Sequence, residues 1–363
     1  MSEGRRVRGG RALAAYAMIT QPGQEVTPSD PHTGVAVIVT VPVRRGQPVE
    51  QAARRRAGRR AACLDDAPFE YLCWGAMSHV PSRVLVTGAA GRLGSAVLRV
   101  LAAQGAAVVG LDRVDPGGTE AFFTGSAGDV DLVARAMAGV DTVIHLAAIP
   151  RPTLGAPEEV FVNNVAATFV VLDQAARAGV RRAVIASSLS ITGLPFSPHP
   201  AVPDYLPVDE AMPLQIADPY ALSKQADEAT AEMVARRDGM AVVALRFPML
   251  GEPEFLAEEA RIHRDDPGHG ANAMWAYLDM RDAAMACWLG ATAALSGVHP
   301  LYVAAPDTLS PYPTQDLVAR CLPGVPVRAP LPGRSVPIDT AAARALLGFQ
   351  AAHHFEITPA ELP

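Results

Sequence analysis

The run Asp218-Pro219-Tyr220-Ala221-Leu222-Ser223-Lys224 holds the only lysine of a 363-residue chain, four residues after a tyrosine, while the other thirty long cationic positions are arginine. So biased a composition lets arginine serve wherever a solvated positive charge is enough. The one position that keeps lysine calls for an ammonium, a compact charge with three donors, where a guanidinium is a bulky planar fork. Residues i and i+4 share one face of a helix. The chemistry that wants this pair is proton transfer coupled to hydride transfer at a carbinol carbon. A free tyrosine, with a pKa of about 10, is a poor base at neutral pH, and a cation held beside a phenol favours the phenolate. Tyr220 is then the expected acid/base. The same spacing also arises by coincidence on helix surfaces, so further signals have to carry the reading.

The second signal is Val84-Leu85-Val86-Thr87-Gly88-Ala89-Ala90-Gly91-Arg92-Leu93-Gly94, an apolar β-branched stretch running into three glycines and then the helical pattern Ala96, Val97, Leu98, Val100, Leu101. Gly88 permits a tight turn, Gly91 lets backbone approach a pyrophosphate, and Gly94 allows close packing of the helix, whose N-terminus faces the phosphates. The spacing is GxxGxxG rather than GxGxxG; its strand and helix context gives it weight. After the next strand, Ala107 to Leu111, comes Asp112, eighteen residues beyond Gly94. A carboxylate there accepts the adenine-ribose hydroxyls and repels a 2′-phosphate, which favours NAD over NADP. Arg113, next to it, can stack on adenine or meet a phosphate, which keeps NADP open as the less favoured cofactor.

With these motifs in hand, the chain from about Ser82 to Gly348 resembles an extended short-chain dehydrogenase/reductase, the NAD-dependent epimerase/dehydratase group. TGAAGRLG resembles that family's nucleotide loop and Gly128-Asp129-Val130 its adenine-contacting acidic turn. Val143-Ile144-His145-Leu146-Ala147-Ala148 resembles the fourth strand with the bend beneath the cofactor, and Asn164 to Thr168 the helix that buttresses the site. Ala186-Ser187-Ser188-Leu189-Ser190-Ile191-Thr192-Gly193 resembles the strand end carrying the catalytic hydroxyl, by position Ser188. Arg246-Phe247-Pro248 matches the end of the sixth strand near the nicotinamide, and Tyr277 to Asp282 a later motif near the domain junction. The resemblance implies a Rossmann-type, doubly wound α/β fold with a small C-terminal substrate lobe. It implies cofactor contacts from Gly88, Gly91, Arg92, Leu93, Gly94, Asp112, Arg113, Asp129, Val130, Leu146, Ala147, Ala148, Asn164, Phe247, Tyr220 and Lys224. Ser188 would hold the substrate oxygen while Tyr220 moves its proton, and Lys224 would bridge the nicotinamide ribose and the phenol, supplying orientation and general acid/base catalysis.

Plainer readings stand beside several of these. His145, on an apolar strand with no second histidine at metal spacing, reads as a hydrogen-bonded core residue, and no metal site is expected. Asp129 can cap the helix beginning at Val130. Ser187, Ser188 and Ser190 can be polar residues of a strand end.

Half of the residues are apolar, enough for one large core plus a small lobe. The net charge of −6 is uneven, +4 over residues 1–80 and −10 over the rest; the acidic body argues against nucleic acid. Cys63, Cys73, Cys287 and Cys321 lack clustered spacing, so neither a disulfide framework nor a zinc site is suggested. A reducing, cytoplasmic setting is the simpler inference. No apolar run is long enough for a membrane span.

Residues 1–76 read differently from the remainder, with Arg44-Arg45, Arg54-Arg55-Arg56 and Arg59-Arg60, scattered glycine and proline, and one strand-like stretch at Val35 to Val41. A leader would have to use Arg5-Arg6 and the short, interrupted apolar stretch Ala12 to Ile19, without a convincing cleavage site. A regulatory arm is a second reading. The favoured one is an upstream start assignment, with Met77 as the natural beginning and 1–76 disordered or poorly packed. The nucleotide-binding domain is expected over 77–250 and a mainly substrate-binding lobe over 251–363.

Helices are expected near Val130 to Ala138, Glu158 to Ala178 and Pro219 to Arg237, and strands near Thr142 to Leu146, Ala183 to Ala186 and Ala241 to Arg246, the alternation a doubly wound fold requires. Seven prolines between Gly193 and Tyr220 exclude helix and central strand there. That loop should line the substrate mouth, with Phe196, His199 and Tyr205 as candidate contacts. The helices at Glu158 to Ala178 and Pro219 to Arg237 could form the four-helix dimer interface that relatives of this type use.

For the substrate, dehydratases of the resembled family carry an acidic pair just after the catalytic hydroxyl residue; Leu189 and Ser190 stand there instead, which disfavours dehydration. Only about twenty-five residues, Glu252 to Ala276, with Arg261, His263 and Arg264 as cations, fill the stretch where nucleotide-sugar epimerases grip the nucleotide. A small sugar or sugar acid and net oxidoreduction are favoured. A sugar epimerase with no net redox, and a non-catalytic nicotinamide sensor, remain as alternatives.

Overall fold

The computed structural model describes residues 80–117, 119 and 121–363. The expectations for residues 1–76, including their assignment as an extension, lie outside the described residues.

The apolar strands are covered on both faces, as a parallel sheet demands. In β1 (Arg83–Thr87), Val84 and Val86 point into one core with α1 (Arg92–Ala103), while Leu85 points into another. The same alternation carries through β2 (Ala107–Asp112), β4 (Thr142–His145), β5 (Arg182–Ser188) and β6 (Ala241–Phe247). The second core is closed by α2 (Val130–Ala136), α3 (Pro157–Arg177) and α4 (Pro219–Asp238). The first is completed by α6 (Met280–Thr292), which follows α5 (Pro253–Asp265) in the chain. With β3 (Ala121–Thr124) and β9 (Val298–Tyr302), seven parallel strands lie in the order β3-β2-β1-β4-β5-β6-β9. A separate two-stranded sheet pairs β7 (Met249–Gly251) with β8 (Tyr277–Asp279), and the short helices α7 (Thr314–Cys321) and α8 (Ala341–Leu347) follow.

From β1 in mid-sheet the described chain runs outward to β3 and returns to β4 on the other side of β1. The carboxyl ends of β1 and β4 therefore diverge, and a ligand crevice opens at this switch point. The glycine turn after β1 and the Leu146-Ala147-Ala148 bend after β4 both sit there. Leu146, expected as strand, lies one residue past β4.

The proline-bearing segment from Gly193 to Asp218 contains no helix; Leu206 and Val208 make single bridges to Val327 and Ile338. Among the described residues no helix is long and apolar enough to cross a membrane. Cys287 and Cys321 are free thiols.

Candidate functional site

Asp218 caps α4 by accepting from the Tyr220 and Ala221 amides, both at 2.9 Å, and Pro219 occupies the first helical position. The cap fixes the rotation of the helix, so positions i, i+4, i+7 and i+8, namely Tyr220, Lys224, Asp227 and Glu228, all turn inward and are buried. The Lys224 ammonium donates to the Ala186 carbonyl at 2.9 Å and to Asp227 Oδ2 at 3.0 Å, and lies 5.7 Å from the centre of the Tyr220 ring. Burial alone would pull the lysine down, but Asp227, Tyr220 and Glu228 together outweigh it and push it up, so the ammonium keeps its proton. Two of its three donors lie on these protein acceptors.

Ser188 ends β5 and accepts from the Ser190 amide at 3.0 Å, which orients its side chain at the cavity wall and leaves its O–H to donate. Phe196 meets Tyr220 edge-on, with ring centres 6.1 Å apart. Of the three aromatic candidates in the proline-rich loop only Phe196 reaches the cavity. His199 is exposed, and Tyr205 is buried elsewhere with its hydroxyl on Asp209 at 2.6 Å and Arg328 over its ring.

One cavity of ≈ 1690 Å³ joins these groups to the glycine turn. A single drug-sized ligand needs about 300–1,000 Å³, so a dinucleotide and a second molecule fit together. Its wall includes Gly88, Gly91, Arg92, Leu93, Gly94, Asp112, Arg113, Leu146, Ala147, Ala148, Ser188, Tyr220, Lys224 and Phe247. Three expected cofactor residues lie off it. Asp129 caps α2 through the Leu132 amide, Val130 is exposed, and the wall near them is made by Gly125, Ser126 and Ala127. Asn164 is fully buried; it holds both backbone groups of Ile149, at 2.7 and 3.0 Å, and reaches Ser223 Oγ. It ties the bend after β4 to α4 and acts as a buttress.

The turn itself needs glycine at two positions. Gly88 has φ +69°, and a Cβ on Gly94 would stand 2.0 Å from the Gly88 carbonyl oxygen. Helix α1 can thus sit directly on the turn, with no side-chain cap and no acidic residue in its first turn. Its leading amides suit a phosphate. Asp112 accepts from the Ala90 amide at 2.9 Å and the Arg113 amide at 2.6 Å, which fixes a carboxylate at the end of β2. Arg113 bonds Asn163, and Arg92 pairs with Glu252 while its guanidinium covers Phe255.

His145 is a buried core residue between Thr87 at 2.7 Å and Thr168 at 3.0 Å. Burial, then the Lys224 charge, hold it down to about 3. Because the folded value lies below the unfolded one, its contribution is present above about pH 6.5 and is lost as pH falls toward 3. Unfolding free energy should therefore drop by about 2 kcal/mol from this group between pH 7 and 5. Denaturant titrations at both pH values check this, and His145→Gln should lose that part of the slope.

Beneath the site, Arg246 donates to both Glu228 oxygens, at 2.9 and 2.8 Å, and Ser187 donates to Glu228 at 2.6 Å. The partners are 6% and 11% exposed, so Arg246 serves the fold rather than a ligand. Glu228→Ala would strand a buried guanidinium and should cost about 3–5 kcal/mol, measured by urea unfolding. Asp227 and Glu228 are the residues the sequence reading missed here, although Lys-x-x-Asp at i and i+3 was visible. Glu259 and His269 join His263, singled out in the sequence as a cation, on the cavity wall, where one side-chain oxygen or nitrogen of each lies within 4.8 Å of the others.

A doubly wound sheet with a glycine turn and an extended cavity at its switch point defines a dinucleotide-binding α/β protein. The model of the NAD dependent epimerase/dehydratase family matches residues 84–303, and the chain belongs to that family. Among curated relatives, UDP-glucose 4-epimerase of Azospirillum brasilense is 31% identical over 176 residues, covering 46% of this chain and 48% of the relative. Several others of similar identity bear the same name, and the chain spans about half the length of these epimerases. L-arabinose 1-dehydrogenase (NAD(P)(+)) of Haloferax volcanii is 30% identical over 203 residues, covering 53% of this chain and 77% of the relative. A solved short-chain dehydrogenase/reductase superfamily protein from Agrobacterium tumefaciens, with bound NAD, is 26% identical at TM-score 0.58, covering 75% of this chain and 93% of its own.

Proposed function

We propose that the chain is an NAD-dependent sugar epimerase that oxidises one sugar carbon and returns the hydride to the opposite face, with no net redox. The observation that carries the reading is that Tyr220, Lys224 and Ser188 share a cavity wall with the glycine turn. The uncapped start of α1, which Gly94 lets sit directly on the glycine turn, fits a pyrophosphate. NAD bound there supplies the hydride acceptor. Ser188 holds the sugar oxygen, Tyr220 takes its proton and later returns it, and Lys224 keeps a positive charge behind the phenol. Names among the relatives move the balance from the net oxidoreduction favoured on sequence toward epimerisation. The short Glu252 to Ala276 segment and the arabinose-dehydrogenase relative support a second reading, net oxidation of a small sugar.

A panel of free sugars, sugar acids and UDP-sugars, followed by absorbance at the NADH band and by NMR, separates them. Epimer without accumulating NADH supports the first reading; sustained NADH formation overturns it in favour of the second. For cofactor choice, the fixed Asp112 carboxylate would meet a 2′-phosphate. Asp112→Ala should narrow the preference for NAD over NADP by about tenfold, about 1.4 kcal/mol, in binding titrations; unchanged discrimination would mean Asp112 serves the turn alone. We assign a homodimer to the α3 and α4 pair, whose outer surface carries the exposed Val162, Phe169 and Leu222.

A further inference from the structure

Helix α5 places Glu259 and His263 one turn apart on the same face. The helix stops at Asp265, and a tight turn follows: Asp266 accepts from the Gly268 amide at 2.9 Å through its side chain and from the His269 amide at 3.0 Å through its carbonyl. This brings His269 back over the last helical turn, with its ring centre 5.1 Å from that of His263 and its Nε2 3.4 Å from Glu259 Oε2. The turn is held from behind. Buried Trp275 donates from its indole to the Pro267 carbonyl at 2.9 Å, and Gly270 packs so closely that a Cβ there would stand 3.1 Å from the His263 ring.

His263 is 2% exposed, and its Nδ1 is buried without a hydrogen-bond partner. An orphaned imidazole nitrogen in a fixed ring is costly unless something occupies it. A tetrahedral zinc ion with bonds of about 2.0–2.1 Å keeps its ligand atoms roughly 3.3 Å apart. The Glu259–His269 separation already matches, and all three ligand atoms lie within 4.8 Å of one another.

We propose that Glu259, His263 and His269 bind a divalent transition-metal ion of the zinc class on the wall of the main cavity. Two imidazoles and a carboxylate are ligands that suit such an ion, and three protein ligands leave a position open. All three residues line the cavity, so that position is available to an oxygen of a small molecule held inside it.

The test uses the full chain without a histidine tag, stripped with chelator and titrated with Zn2+ against a chromophoric chelator, with no NAD or sugar present. Its outcome is therefore independent of the proposed reaction. One equivalent should bind, and His269→Ala and Glu259→Gln should each weaken it by at least about 100-fold, beyond what loss of a supporting residue does. Both residues are at least partly exposed, so the apo variants should melt like the parent. Co2+ in the same site should give a visible absorption band that His269→Ala abolishes. Absence of a stoichiometric site, or equal Zn2+ affinity in parent and both variants, would overturn the proposal; the latter would locate the ion elsewhere in the chain. Persistence of the Co2+ band in His269→Ala would overturn the assignment of His269 as ligand.

Discussion

Tyr220→Phe should lower turnover by about 10²–10⁴-fold, the range that a positioned proton-transfer group supplies, while NAD affinity changes by less than about threefold. The phenol is the one titratable hydroxyl that α4 carries to the cavity beside an ammonium. Phenylalanine keeps the ring, its edge-on contact with Phe196 and the packing of α4. What disappears is one hydroxyl, whose proton moves only as the transition state forms, so the loss should fall on kcat with little change in KM. Steady-state kinetics paired with NAD titration would check this. Equal losses in both quantities would make Tyr220 a packing residue.

Lys224→Arg should also cost at least about 100-fold in kcat, although charge is conserved. Lys224 is 3% exposed, and its ammonium fits between the Ala186 carbonyl and Asp227. A guanidinium is larger and planar; inserting it into a closed core displaces neighbours at a cost of about 1–3 kcal/mol. It would also leave the Ala186 carbonyl or Asp227 without its donor. Kinetics and thermal melting of the same variant separate the two contributions: a folded, NAD-binding but slow enzyme is expected. Wild-type turnover would show that the lone lysine reflects compositional drift and carries no requirement for an ammonium.

Much of this arrangement was legible in the sequence because it rests on local patterns. The apolar run of β1 entering three glycines, the Asp112 that follows β2, and the four-residue interval from Tyr220 to Lys224 are short-range features that parallel-sheet and helix geometry translate directly into positions. What escaped was long-range. Glu228 takes its meaning from Arg246 eighteen residues away on the neighbouring strand. Asp129 carries both readings given to it: its side chain caps α2 through the Leu132 amide, while the cavity wall near it is made by Gly125, Ser126 and Ala127. The segment after β6 was hardest: β7 and β8 are three residues each, and His269 meets Glu259 only because the Asp266 turn reverses the chain.

The central claim is that a dinucleotide lies across the switch point, from the glycine turn at one end to Tyr220 and Lys224 at the other. A crystal structure of the chain with NAD tests it most directly. The account predicts the pyrophosphate on the first amides of α1, the adenine ribose on Asp112, and the nicotinamide beside the Tyr220 hydroxyl at a distance that leaves a sugar carbon within about 3–3.5 Å of the ring. A nicotinamide at the Asp112 end, or a dinucleotide bound away from Tyr220, would contradict it.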